Sequence, residues 1–343
     1  MKIRTIRWQN GVVITVDQTK LPLETVNLKI KTVDEIAKAI RNLSVRGAPL
    51  LGAAAGFGLA LTAHNSEANC VSELLAELED AAKVIKATRP TAVNLFWAIE
   101  RVLVKARDFS GTVKELKALV IQEAQQIADE DAESNHSIGK NGAMLINDGD
   151  VVLTHCNAGE LATVEFGTAL GVIRAACEQG KKVKVIATET RPLLQGARLT
   201  AYELERDGIP VTLITDSMVG YVMQKRLVDK VVVGADRIVQ DAVVNKIGTF
   251  TIAVLAHEYG VPFFVAAPKS TFDLTRKSTD VVIEERKPVE VTHYGGKKIA
   301  ADGVHVLNPA FDITPLKYVS AIIYEDGVYR QKNFAKFRNQ SPE

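Results

Sequence analysis

The chain has 343 residues, 47% of them apolar and 24% charged, the balance of an ordinary globular protein long enough for two domains. Lys plus Arg total 42 against 41 Asp plus Glu, so no global field draws nucleic acid or an anionic membrane, and an anionic ligand must be held by a few local basic groups. Three cysteines, Cys70, Cys156 and Cys177, without CxxC spacing argue against a disulfide framework and a structural zinc site, and suit a reducing cytosol.

Met1 to Trp8 carry no apolar h-region, so no secretory signal is expected. Residues 3–30 alternate apolar and polar positions around Asn10-Gly11 and Leu21-Pro22, which predicts short strands in a small antiparallel sheet. From Thr32, a predicted helix cap with Glu35 three residues on, the period becomes helical, with Ile36, Ile40 and Leu43 on one face. Helical patterns continue over 49–64, 68–88, 91–107 and 112–143, broken at Arg89-Pro90 and Ser110-Gly111. Gly47 to Ala63 carry no charge, but the run is too short for a ~20-residue membrane span and reads as a buried core helix.

After Asn147-Asp148-Gly149-Asp150 strands alternate with helices. Strands are expected at Val151–Thr154, Val183–Thr188, Val211–Thr215, Lys230–Val233, Phe263–Ala266 and near His305–Leu307, with helices over 161–178, 194–207, 217–226 and 246–259. The expected fold is therefore α/β: residues 1–143 form a small sheet and helical domain, and 144–343 a Rossmann-like parallel sheet with helices on both faces. In such sheets ligands bind beyond the carboxyl ends of the strands, where Cys156, Glu189, Asp216 and Asp236 all fall.

No GxGxxG, Walker A or GxSxG motif is present, Gly295-Gly296-Lys297-Lys298 is too short for a phosphate loop, and His257-Glu258 lacks a second histidine. Within Thr154-His155-Cys156-Asn157-Ala158-Gly159, a cysteine between a strand and a predicted helix start gains from free N–H groups and the helix dipole, which would lower its pKa. The same pattern also suits a buried structural thiol. His155 should point away from Cys156, since strand neighbours face opposite sides. Arg46-Gly47-Ala48-Pro49, Arg89-Pro90 and Asn245-Lys246 each place a base at a predicted helix start, where guanidinium forks and N–H groups suit phosphate oxygens. Asp236 ends a valine strand, suited either to acid–base work in an apolar setting or to capping its loop and pairing with Arg237.

Taken together, Val45–Pro49, Thr154–Gly159, Gly167–Arg174, Thr188–Pro192 with Gln195–Arg198, Val233–Ile238, Asn245–Thr249 and Asn308–Asp312 resemble the methylthioribose-1-phosphate isomerase family of methionine salvage, from Arg4 to about Gly327. That family shares a superfamily with ribose-1,5-bisphosphate isomerases and the regulatory alpha, beta and delta subunits of the translation initiation exchange factor. The resemblance implies aldose–ketose isomerisation of 5-methylthioribose 1-phosphate, with Cys156 and Asp236 as the catalytic pair. Arg46, Gly47, Ala48, Arg89, Gln195, Asn245 and Lys246 match its substrate contacts. It implies no metal or organic cofactor, a sugar-phosphate substrate and a homodimer through the α/β domain; the charge balance and cysteine usage predict no nucleic-acid or membrane partner and a cytoplasmic location. Cys70 and Cys177 are read as structural.

The chain departs from the family at Glu160 and Glu165, where small or apolar residues are usual, and at Leu50-Leu51. Carboxylates facing the pocket would alter the accepted 5-substituent. Two rival substrates are 5-deoxyribose 1-phosphate and ribose 1,5-bisphosphate, the latter needing a further basic cluster that the sequence lacks. A non-catalytic regulatory subunit is the rival of a different class, and is not expected to keep both Cys156 and Asp236.

Overall fold

The computed structural model describes residues 4–331 and Phe334. The chain opens with an antiparallel meander, β1 (Ile6–Gln9), β2 (Val12–Val16) and β3 (Asn27–Ile30). Asn10 and Gly11 turn the first hairpin with φ of 49° and 81°, the left-handed pair that a two-residue turn needs to match strand twist. Next comes α1 (Val33–Arg41), capped as expected by a reciprocal box between Thr32 and Glu35.

The helical array follows: α2 (Ala48–Asn65), α3 (Val71–Lys86), α4 (Val93–Arg107) and α5 (Val113–Ala143). The charge-free helix α2 is buried nearly all round, with Leu50, Phe57, Leu59 and Leu61 packed among Ile36, Leu78, Ile99 and Val120 of its four neighbours. No helix among the described residues is long and apolar enough to cross a membrane. With 31 residues, α5 is the longest element. Its Leu116, Val120, Ala124 and Ile127 join that helical core, whereas Ile138 and Ala143, further along, pack against the sheet.

The sheet is seven-stranded. Its elements in chain order are β4 (Val151–Thr154), α6 (Ala169–Glu178), β5 (Lys184–Thr188), α7 (Ala201–Arg206), β6 (Val211–Ile214), α8 (Val219–Gln224) and β7 (Lys230–Val233). A second, antiparallel sheet starts with β8 (Arg237–Ile238) and β9 (Ala242–Lys246), and is followed by α9 (Thr249–Glu258) and β10 (Phe263–Ala266). The short α10 (Val289–Thr292) leads into the hairpin β11 (His293–Tyr294) and β12 (Lys297–Lys298). β13 (Phe311–Pro315) completes the antiparallel sheet beside β9, and β14 (Ala321–Tyr324) and β15 (Gly327–Arg330) end the large one.

Strand order in the large sheet is β15-β14-β10-β7-β4-β5-β6, all parallel except the edge strand β15. Alternate side chains feed two cores, as the two-residue strand period requires. Val152, Val232 and Phe264 meet α5, α6 and α7 through residues such as Leu170, Ile173 and Leu204. Leu153, Val231, Val233 and Val265 meet Val222, Ile252 and Ala256 of α8 and α9 on the opposite face.

Three expectations need correction. The helix expected over 161–178 begins only at Ala169; residues 160–168 make a single tight turn and then a loop. Helix N–H groups of Glu160 and Leu161 are taken by the Glu203 carboxylate, and Gly167 at φ 85° lies so close to Gly159 that a Cβ there would sit 2.5 Å from its backbone. The stretch near His305–Leu307 is not a strand: Leu307 is 88% exposed, while Ala321–Ile323 bury fully and occupy the place beside β10. Finally, the helix expected from 246 starts at Thr249, because Ala242–Lys246 pair with β8 and β13.

Candidate active site

The ends of β4 and β7, the start of α2 and the end of β9 converge on one cavity of about 830 Å³, counted with its open mouth. All nine residues singled out in the sequence line it: Cys156, Asp236, Arg46, Gly47, Ala48, Arg89, Gln195, Asn245 and Lys246. Glu189 and Asp216, also at strand ends, do not. Asp216 instead accepts hydrogen bonds from the N–H groups of Thr190 and Arg191 and shapes the adjoining loop.

Cys156 follows β4 in the left-handed region at φ 63°, a costly conformation for a residue with a Cβ. Its N–H donates to Thr190 Oγ1 (2.9 Å) and its carbonyl accepts from Thr200 Oγ1 (2.6 Å). His155 points elsewhere for hydrogen bonding, as expected. Its Nε2 donates to the Ile247 carbonyl (2.9 Å), which leaves Nδ1 to accept from Thr188 Oγ1 (2.6 Å). This buried histidine therefore ties the cysteine strand to the loop after Lys246.

The expected dipole-driven fall of the thiol pKa is not found. No α-helix starts at Cys156, and burial pushes the thiol up, while Lys246 and Arg46 pull it down. Burial also pushes the Asp236 carboxyl up, against the pull of Lys246, Arg89 and Arg46. Asp236 does not pair with its neighbour: Arg237 turns away to the Thr91 carbonyl and to Asp273 at 3.6 Å.

The cations arrive from separate elements. Gly47, at φ 110°, caps α2 and presses on the cysteine loop so closely that a Cβ would lie 2.4 Å from Ala162 Cα. This brings Arg46 beside Asn157, to which it gives two hydrogen bonds: Nη1 to Oδ1 (2.6 Å) and Nη2 to the carbonyl (3.0 Å). Lys246 donates to the Ala310 carbonyl (2.7 Å) and lies 4.6 Å above the Phe311 ring. Desolvation lowers the pKa of both Arg46 and Lys246, the electrostatic cost of two cations that, among the described residues, make no ion pair with a carboxylate. Arg89 reaches Glu284 at 3.3 Å.

Gln195 is buried, its Oε1 without a partner among the described residues, and Asn245 Nδ2 turns to Thr249 Oγ1 (3.0 Å) at the start of α9. Glu160 and Glu165 lie outside the cavity: Glu160 pairs with Arg206 (2.6 Å) and Glu165 with His136 (3.3 Å). They therefore place no negative charge beside the sugar-phosphate candidates. Cys70 is exposed at the start of α3 and Cys177 is half-buried on α6, both away from the cavity. Sequence reasoning missed Arg286, another lining cation, which pairs with Glu284 and Glu290; inside the mixed-charge run Glu284-Glu285-Arg286-Lys287 nothing separates it from a solvated residue.

Comparison with known proteins identifies the family. Residues 44–331 match the Initiation factor 2 subunit family. The methylthioribose-1-phosphate isomerase of Thermosipho africanus is 52% identical over 330 residues, 96% of this chain and 95% of that protein. The crystal structure of 5-methylthioribose 1-phosphate isomerase from Pyrococcus horikoshii OT3 superposes with a TM-score of 0.90 at 48% identity, covering 98% of this chain and 95% of that one. A crystal structure described as translation initiation factor eIF-2B, subunit delta, from A. fulgidus gives 0.88 at 54% identity, over 98% of this chain and 100% of that one. The chain belongs to the Initiation factor 2 subunit family and, within it, to the methylthioribose-1-phosphate isomerases.

Proposed function

We propose that this protein converts 5-methylthioribose 1-phosphate to 5-methylthioribulose 1-phosphate, the isomerisation of methionine salvage. The observation that carries this reading is the meeting of a half-buried thiol, a carboxyl with a raised pKa and two cations, Arg46 and Lys246, held by neutral oxygens in one cavity. Phosphate on C1 prevents opening to a free aldehyde, so the ring must open by cleavage of the bond between C1 and the ring oxygen.

Asp236, whose protonated form burial favours, gives its proton to the ring oxygen as that bond breaks, leaving an oxocarbenium at C1. Cys156, whose thiolate form Lys246 and Arg46 favour against the opposing effect of burial, removes the C2 proton to form an enol. Return of that proton to C1, with loss of the C2 hydroxyl proton to the Asp236 carboxylate, gives the ketone. A hydride shift from C2 to C1 reaches the same product and leaves Cys156 without a proton to carry.

Arg46, Arg89 and Lys246 hold the phosphate near the start of α2, whose first turn carries no acidic residue. Gly47 and Ala48 let the phosphate approach that turn, and Gln195 and Asn245 meet the sugar hydroxyls. Walls such as Leu43, Leu51 and Leu193 keep water from the cation and the enol. We read residues 1–143 and 144–343 as the two domains that close on the substrate, and the working protein as a cytoplasmic homodimer.

The test is turnover by purified protein of 5-methylthioribose 1-phosphate, 5-deoxyribose 1-phosphate and ribose 1,5-bisphosphate side by side. Preference for the methylthio sugar is expected. Preference for the bisphosphate would overturn the substrate. No turnover of any of them by folded protein would favour the regulatory reading suggested by the relative described as an exchange-factor subunit.

A further inference from the structure

Arg46 is held in an unusual way for a desolvated guanidinium. Both of its hydrogen bonds go to Asn157, one to the side-chain oxygen and one to the carbonyl, and among the described residues it has no carboxylate within ion-pair distance. A neutral fork fixes the direction of the cation and leaves its charge uncancelled. An aspartate of the same shape would cancel it.

The orientation of the Asn157 amide is set from behind. Its Nδ2 donates to Glu203 Oε1 (2.8 Å) and to Thr200 Oγ1 (3.2 Å), so Oδ1 has to face Arg46. Glu203 is completely buried, and its remaining capacity is occupied by the N–H groups of Glu160 (2.8 Å) and Leu161 (3.2 Å) and by Arg174 (2.8 Å). Its place is closed sterically too: a Cβ on Gly159 would come within 2.1 Å of Glu203 Oε2.

We infer that Asn157 and Glu203 are positioning residues, Asn157 aiming Arg46 at the bound phosphate with its charge intact and Glu203 fixing the amide that does so. This rests on the proposed sugar-phosphate reading. Neither residue touches the reacting carbons, so their loss weakens phosphate binding more than it slows chemistry.

The experiment measures KM and kcat on 5-methylthioribose 1-phosphate, and inhibition by inorganic phosphate, for Asn157→Asp, Asn157→Ser and Glu203→Gln. Each is made alone and in an Arg46→Gln background, with folding checked by thermal melting. A charge-assisted contact of ordinary strength predicts that Asn157→Asp raises KM and the phosphate inhibition constant roughly tenfold or more, with a smaller change in kcat. Asn157→Ser and Glu203→Gln shift both in the same direction by less. In the Arg46→Gln background the second substitution should add less than about twofold, because the contact it acts through is gone.

Unchanged KM in folded Asn157→Asp, a fall in kcat alone, or an equal effect without Arg46 would each overturn the inference. If Asn157→Asp does not fold, the Asn157→Ser and Glu203→Gln pair decides by the same criteria. If the unsubstituted protein turns over no sugar phosphate, the functional reading falls, and calorimetric titration with inorganic phosphate still compares the variants.

Discussion

Two charged clusters lie side by side on either flank of the cysteine loop, and they use similar residues to opposite ends. Behind the loop, Arg174 bonds Glu203 and Asp207, and Arg206 bonds Glu160 and Asp207, so each charge meets its opposite. In front of it, Arg46 and Lys246 are held by Asn157 and by the Ala310 carbonyl. The first arrangement gains its stability on folding. On the proposed reading, the second leaves the attraction for the substrate phosphate, and so shifts it from stability to binding. Buried charges are informative about function according to what holds them, not according to their number.

The sharpest way to test this contrast is at the reacting group. Cys156→Ser keeps the loop geometry and removes the ionisable thiol, so turnover should fall about 10²–10⁴-fold with the melting temperature nearly unchanged. Full turnover would remove Cys156 from the mechanism and leave the hydride route. Next come paired substitutions across the loop. Arg174→Met strands buried Glu203 and should destabilise the protein by about 3–5 kcal/mol in chemical denaturation. Arg46→Met should change stability by about 1 kcal/mol at most, yet raise KM by roughly ten- to a hundredfold. Similar stability losses for both would erase the distinction drawn here.

The smallest effect concerns the thiol itself. Lys246 favours the ionised form of Cys156, so Lys246→Gln removes that pull and leaves burial, which favours the neutral form. The pH profile of Cys156 alkylation by iodoacetamide should then move to higher pH. A profile that stays in place would mean that Lys246 does not act on the thiol.

Much of the fold was legible in the sequence because local rules and tertiary packing agree there. The Thr32–Glu35 cap, the Asn10-Gly11 hairpin and the valine strands around Cys156 and Asp236 all form where their patterns place them. Misreadings arose where a distant partner overrides local preference. Leu161 has helical neighbours in the sequence, but its N–H is captured by Glu203, 42 residues away. Ala242–Lys246 look like the approach to a helix until β13, far along the chain, supplies a strand to pair with.

The site shows the same division. Cys156, Asp236 and the basic residues stood out through motifs, and the fold brings them to one cavity. What no local pattern revealed was the thiol's environment: the sequence suggested a helix terminus at Cys156, while the loop actually places it in a desolvated wall. The supporting role of Asn157 was equally hidden, since an amide's importance depends on which of its two ends faces a cation.

The 31-residue helix α5, about 46 Å long, belongs to both the helical core and the sheet. A rod shared by two cores makes them melt as one: fraying its far end withdraws Ile138 and Ala143 from the sheet, while losing its near end opens the bed of α2. Arg46 precedes α2 in the helical core, and Cys156 follows β4 of the sheet. The cavity draws its lining from both halves, so it should be lost when either one unfolds.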